Sequence, residues 1–328
     1  MQDRLDFLFD ASGWKVREES PWHLCGEGRI GGREMLAVAL CTEATSPLPA
    51  KAVADIAEFV RQEQERRLPL ILIPSSVELL DEPHLAEAMG SLLGCLSGYR
   101  TRAPLLAAAL DPLIGPVAMA TRLADILCLA PKGSLSLAAE STRHQVPIVS
   151  EDLAFKTFLD CSFASDAAAL LDLRRMLSIL PAGDGWKPKR RGFDRTEQPE
   201  LDRLIGADLD APIDARRMLH LLSDDRTFLE LGHRNGLIAA LVRIGADTLG
   251  VLASDAAATS GALDAGALAK AERMVRFCDR YELPIITFVD SPGVLPDDAS
   301  LAALADLVSA WNDCSVPVIS LIVRRAIG

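Results

Sequence analysis

Hydrophobic and polar positions follow the same order twice along this chain. Residues 29–41, RIGGREMLAVALC, and residues 243–255, RIGADTLGVLASD, each place an apolar strand, a glycine-containing turn and a second apolar run in succession. That pattern predicts a β-hairpin in each half. A helix-like stretch follows each hairpin, starting near Lys51 in the first half and Lys270 in the second. Its apolar residues recur at three- and four-residue steps: Val53, Ile56, Phe59 and Val60, then Met274, Val275 and Cys278. Each helix breaks at Leu-Pro and enters a buried-strand run, LILI at 70–73 and IITFV at 285–289. Another helix follows, then a strand introduced by proline, APLLAAAL and VPVISLIV, and each copy closes on Ile-Gly at Gly115 and Gly328.

The landmarks keep nearly one spacing. Arg29 and Arg243 lie 214 apart, Pro69 and Pro284 215, Pro104 and Pro317 213, and Gly115 and Gly328 213. Four landmarks in order at one offset point to an internal duplication. Between the copies, PAGDGWKPKRRGFDRTEQPELD at 181–202 carries the prolines, glycines and charges of a linker. The expected organisation is one domain over 1–182, a linker over 183–202 and a second domain over 203–328. About 65 residues separate Gly115 from the linker, so by this pattern the second domain is expected to be incomplete and the chain a fragment of a longer product.

Composition narrows the partners. A hydrophobic share of 49% with 24% charged residues describes a globular chain. A net charge of -12 disfavours nucleic acid. No window reaches the ~20 apolar residues of a membrane span, and the charged start MQDRLDFLFDASG is unlike a signal peptide. Seven cysteines (25, 41, 95, 128, 161, 278 and 314) are scattered without a CxxC pair, which suggests reduced thiols and a cytoplasmic location. The five histidines show no metal-ligand spacing, so no metal is expected. Any polyanionic ligand would need a local cationic cluster, such as Lys187, Lys189, Arg190 and Arg191, although solvated linker residues are the commoner role for such a run.

A glycine at a strand-to-helix turn permits close approach of a substrate, and backbone N–H groups there can face a developing oxyanion. Taken alone the Ile-Gly pair is a weak signal. The stretch from Arg216 to Pro296 is more specific: DDRTFLELG (224–232), LVRIGADTLGVLAS (241–254) and SGALDAGALAKAERMVRFCDRYELPIITFVDSPGVLP (260–296), with VPVISLIVRRAIG (316–328) beyond it. It resembles the carboxyltransferase subunits of biotin-dependent acyl-CoA carboxylases, of the propionyl-CoA and acetyl-CoA carboxylase β type. The first half resembles that family's N-terminal domain more faintly, in RLDFLFDASGW, GEGRIGG and LRRMLSILP (173–181). The resemblance implies an α/β, crotonase/ClpP-like ββα superhelix in two related domains, acyl-CoA on the first and biotin on the second. It implies carboxyl transfer from carboxybiotin, carried on a separate domain, to the α-carbon of an acyl-CoA. Biotin carboxylase and biotin carrier partners and a hexamer are further implications.

Carried over by position, the resemblance assigns the oxyanion turns to Gly115 and Gly328, and the biotin-side contacts to Ser291, Gly293, Lys270 and Ala326. Departures from the family pattern accompany it. Pro116 stands where relatives have a second glycine and has no N–H to donate. Pro74-Ser75-Ser76-Val77-Glu78-Leu79 replaces a glycine-rich, arginine-containing segment, and ASLAALADLV (299–308) replaces Gly-Gly and Arg-His-Gly segments. A non-catalytic paralogue that assembles with an active subunit, or a malonyl- or glutaconyl-thioester decarboxylase of the same fold, is therefore an alternative to the carboxyltransferase. Asp290 is read both as shaping the Ser291-Pro292-Gly293 segment and as part of an ordinary β-turn. Lys270, opening a surface helix, is read as solvated more readily than as a phosphate contact. Arg324 and Arg325, just before the last turn, are placed to meet a carboxylate.

Overall fold

A computed structural model describes residues 2–11, 13–40, 47–137, 160–180, 199–205, 211–245 and 247–327. These divide into two compact units, residues 2–137 with 160–180, and residues 199–327.

Unit 1 runs α1 (Gln2–Leu8), β1 (Lys15–Glu19), β2 (His23–Ile30), β3 (Arg33–Leu40), α2 (Ala50–Glu63), β4 (Leu70–Ile73), α3 (Leu85–Tyr99) and β5 (Leu105–Ala109). It continues through β6 (Pro112–Ile114), α4 (Gly115–Arg122), β7 (Ile126–Leu129), β8 (Ser134–Ser136), β9 (Cys161–Ser162) and α5 (Asp166–Ile179). Its main sheet has the order β1-β2-β3-β4-β5-β7-β9, antiparallel through the β2–β3 hairpin and parallel from β3 onward. Strands β4, β5 and β7 are buried along their whole length, as the unbroken runs LILI, LLAAA and ILCL require of parallel strands covered on both faces. Helices α2, α3 and α4 press their apolar stripes onto this sheet, with Val53, Ile56, Phe59, Val60, Leu92, Leu96 and Val117 in one core.

Unit 2 runs α6 (Pro199–Ile205), α7 (Ala215–Leu222), β10 (Phe228–Leu231), β11 (Leu237–Ile244), β12 (Asp247–Ser254), α8 (Ala256–Thr259), α9 (Ala265–Arg280), β13 (Ile285–Ser291), α10 (Asp298–Asp313) and β14 (Val318–Ala326). The sheet order is β10-β11-β12-β13-β14. The side chains of Asp264 and Asp297 accept the N–H groups of Ala267 and Ser300 at 2.7 and 2.8 Å and so start α9 and α10.

The duplication is visible bond by bond. Ile30 faces Arg33 across the first hairpin turn and Ile244 faces Asp247 across the second. Leu36 pairs with Leu70 and Gly250 with Ile285; Leu70 pairs with Leu105 and Ile285 with Val318. Isolated parallel bridges join Leu48 to Leu79 and Leu263 to Val294. Each predicted hairpin and proline-led strand is present in its place; LILI is buried throughout, whereas IITFV mixes buried and half-buried positions.

Two expected boundaries shift. Residues 199–202, expected to be linker, open helix α6; 183–198, with the basic cluster, lie outside the described residues. Helix α9 begins at Ala265 rather than near Lys270, because Asp264 caps it.

The sheet's centre dominates unit 1. Leu70 is fully buried between β3 and β5, so Leu70→Ala is expected to destabilise the unit by about 2–5 kcal/mol, read as a lower urea midpoint with an unchanged slope.

Candidate functional site

In the crotonase-like scaffold that this topology builds, the segments after the parallel strands converge at one end of each sheet. In unit 2 these are the end of β13 (Asp290, Ser291, Gly293) and the end of β14 (Arg324, Arg325, Ala326). Ser291 pairs with Ala326 in the parallel ladder, and the Ile327 N–H donates to the Ser291 carbonyl at 3.2 Å. The two strand ends are locked by charge. Asp290 accepts from Arg324 Nε at 3.2 Å and Nη2 at 2.8 Å through one oxygen, and from Arg325 Nε at 3.1 Å through the other. Asp290 and Arg324 are nearly excluded from water. Burial by itself would raise the Asp290 pKa, but the two guanidinium groups outweigh it and hold the carboxyl below the usual aspartate range. The arginines thus meet a carboxylate of the chain's own.

Ser291 is a hub for the turn. Its hydroxyl donates to the Gly261 carbonyl at 2.7 Å and accepts the Gly293 N–H at 3.0 Å. Gly261 has φ +83, and a Cβ there would stand 2.3 Å from the Asp290 carbonyl oxygen, so only glycine allows this approach. The structure therefore brings Ser291, Gly293 and Ala326 together around Asp290. Gly328 lies outside the described residues.

Lys270 does not join them and is not solvated. It is fully buried, and its ammonium donates to the His233 carbonyl at 2.9 Å and to the Leu237 carbonyl. Desolvation pulls its pKa down to about 8, against the opposing field of Glu230. Lys270 lies on the buried stripe of α9 with Ala267, Ala271 and Met274, which faces it inward. Beside it Arg216 binds Glu230 through two 2.7 Å bonds and Asp255 through a third.

In unit 1 the counterpart turn is Gly115, the first residue of α4, with φ +61 and open space where a Cβ would stand. The β6–β8 ladder fixes its approach through Ile114 and Ser136. Pro116 follows within the first helical turn and removes one donor. The replaced segment 74–79 sits where β13 leads into Gly293 in the copy: the Glu78 carbonyl accepts the Leu48 N–H at 2.7 Å, as the Gly293 carbonyl accepts the Leu263 N–H at 3.1 Å. Ser75 takes the place of Asp290 and donates to the Leu40 carbonyl at 2.9 Å. Beneath α4 lies an apolar cavity of about 50 Å³, lined among others by Leu40, Leu72, Pro74, Val117, Ala120 and Thr121.

Sequence spacing predicted no metal-ligand group. Cross-strand pairing nevertheless places ligand atoms of Glu18, His23 and Cys25 within 4.8 Å of one another in unit 1. Linear spacing misses it because Glu18 meets Cys25 across the β1–β2 ladder. Among the described residues no helix is long and apolar enough to cross a membrane.

The fold is the crotonase-like α/β fold. Residues 156–328 match the family model "Carboxyl transferase domain", and the chain belongs to that family. The propionyl-CoA carboxylase beta chain of Roseobacter denitrificans is 34% identical over 180 residues, 52% of this chain and 35% of that protein. The mitochondrial propionyl-CoA carboxylase beta chain of Homo sapiens is 31% identical over 177 residues, 51% of this chain and 33% of that protein. The match thus spans about a third of these relatives' length. Among solved structures, a transcarboxylase 12S hexamer with methylmalonyl-coenzyme A bound superposes with TM-score 0.85 at 20% identity, covering 97% of this chain and 69% of its own. A single-chain, multi-domain long-chain acyl-CoA carboxylase gives 0.77 at 16%, covering 97% and 36%.

Removing the central carboxylate tests the lock. Asp290→Ala strands the Arg324 charge in a buried site and is expected to cost roughly 3 kcal/mol at neutral pH. The folded pKa of Asp290 lies below the unfolded value, so its contribution is complete above about pH 4 and disappears as pH falls through the folded value. Urea unfolding at pH 7 should separate variant from wild type, and the gap should narrow on acidification.

Proposed function

We propose that the chain is the carboxyltransferase component of an acyl-CoA carboxylase, moving a carboxyl group from carboxybiotin to the α-carbon of a short acyl-CoA of the acetyl or propionyl type. The reading rests on one observation: a positive-φ glycine opens a helix whose following residues Val117, Ala120 and Thr121 line a small apolar cavity, in a chain of the carboxyl transferase domain family. An acyl group of a few carbons suits a cavity of about 50 Å³.

In this reading the Gly115 N–H and the start of α4 face the thioester oxygen. Loss of the α-proton places negative charge on that oxygen, where N–H dipoles stabilise the enolate. The enolate carbon then bonds to the carboxyl carbon of carboxybiotin as its N–C bond breaks, and the ureido nitrogen takes up the proton. The second turn, held by Ser291, Gly293 and Ala326, receives the biotin ureido group. Biotin reaches it as a substrate on a carrier domain, supplied by a biotin carboxylase, in an oligomeric assembly.

Pro116 favours a second reading, a non-catalytic paralogue that assembles with an active subunit. Loss of one oxyanion donor lowers turnover by about 10²–10³-fold, so the carboxyltransferase reading predicts a slow enzyme. The purified protein, supplied with biotin carboxylase and a biotinylated carrier, should carboxylate acetyl- or propionyl-CoA weakly, and Pro116→Gly should raise kcat by up to roughly 10²-fold. Absence of turnover from both proteins would establish the non-catalytic reading instead.

A further inference from the structure

We propose that Glu18, His23 and Cys25 of unit 1 form a binding site for a zinc-class divalent cation. Their ligand atoms lie within 4.8 Å of one another, with His23 and Cys25 buried and Glu18 half-buried at the rim. One carboxylate, one imidazole and one thiolate, with water in the fourth position, are a donor set that zinc accepts. Zinc bonds of about 2.0–2.3 Å bring tetrahedral ligands to about 3.5 Å apart, so small side-chain rotations close the site. Ser20 Oγ lies 2.9 Å from His23 Nδ1 and orients the ring. Binding converts the Cys25 thiol to thiolate and releases its proton to solvent.

The second copy supplies an independent argument. By ladder position Glu18, His23 and Cys25 correspond to Leu231, Leu237 and Ala239. All three of those residues are buried and apolar, so the scaffold itself demands no ligating side chains there. Counting from the helix caps Pro49 and Asp264, Asp55 of α2 corresponds to Lys270 of α9. In unit 2, therefore, the chain delivers its own cation to this niche, an ammonium held by the Leu237 and His233 carbonyls. In unit 1 the same helix position is an aspartate whose field reaches Glu18 and His23, with Glu58 and Glu63 adding to it at Glu18. Of these acids, Glu58 is bound by Arg61, and Glu63 by Arg17 and Arg66. The niche has exchanged an internal cation for a set of metal donors.

The test uses the whole chain and needs no enzymatic assay. Protein stripped with a chelator is loaded with Zn²⁺, passed through gel filtration and its metal quantified; Co²⁺ is added to a second sample as an optical probe. The variant His23→Leu/Cys25→Ala carries the residues of the second copy and so is expected to fold, checked by circular dichroism. Wild type should retain one Zn²⁺ per chain, the variant none, and the cobalt spectrum of wild type should show a thiolate charge-transfer band. Equal zinc retention by wild type and variant, or a cobalt spectrum without that band, would overturn the proposal. Should the variant not fold, the wild-type cobalt spectrum decides alone.

Discussion

Two parallel ladders in each unit, β3–β4 and β4–β5 in the first and β12–β13 and β13–β14 in the second, open on hydrogen bonds to proline carbonyls. Pro69 accepts the Leu36 N–H and Pro284 the Gly250 N–H; Pro104 accepts the Leu70 N–H and Pro317 the Ile285 N–H, all at 2.9 Å. Proline ends the preceding segment because it lacks a donor and restricts the residue before it, yet its carbonyl remains a full acceptor. It therefore marks where each strand begins and sets its register against the neighbour. A slip of one residue would turn every side chain of a buried strand to the other face. With register set at the start, the far ends of β4, β5, β13 and β14 arrive in fixed positions, and the turns that carry the proposed chemistry sit on those ends.

On this shared frame the two copies have diverged in charge. Unit 2 ties its strand ends with Asp290 between two arginines, whereas unit 1 has Ser75 at the place of Asp290, bonded to the Leu40 carbonyl. The outer niche diverged in the opposite sense, with Lys270 in unit 2 and acids, histidine and cysteine in unit 1. Each change substitutes one way of satisfying a buried polar requirement for another and leaves the backbone as it was. A duplicated fold can thus carry different chemistry in its two halves, because the framework does not depend on the residues that differ.

Much of the frame was legible in the sequence. LILI, IITFV and the Leu-Pro breaks are local signals, and the hairpin turns fell where Gly31-Gly32 and Gly245 stand. Ser291, Gly293 and Ala326, taken from the motif that carries the resemblance, lie close together in the structure. What escaped was set by partners distant in sequence. Lys270 reads as a surface residue until the fold brings the carbonyls of His233 and Leu237 to its ammonium. The union of Asp290 with Arg324 and Arg325 needs the β13–β14 pairing, and that of Glu18 with Cys25 needs β1–β2. Neither pairing leaves a periodic trace along the chain.

On the proposed function, backbone amides at the Gly115 turn hold the acyl thioester. Hydrogen–deuterium exchange, followed by mass spectrometry with and without saturating propionyl-CoA, addresses that directly. Slowed exchange in peptides spanning Leu113 to Arg122 is the predicted result. Unchanged exchange there, with slowing confined to other segments or absent altogether, would contradict it.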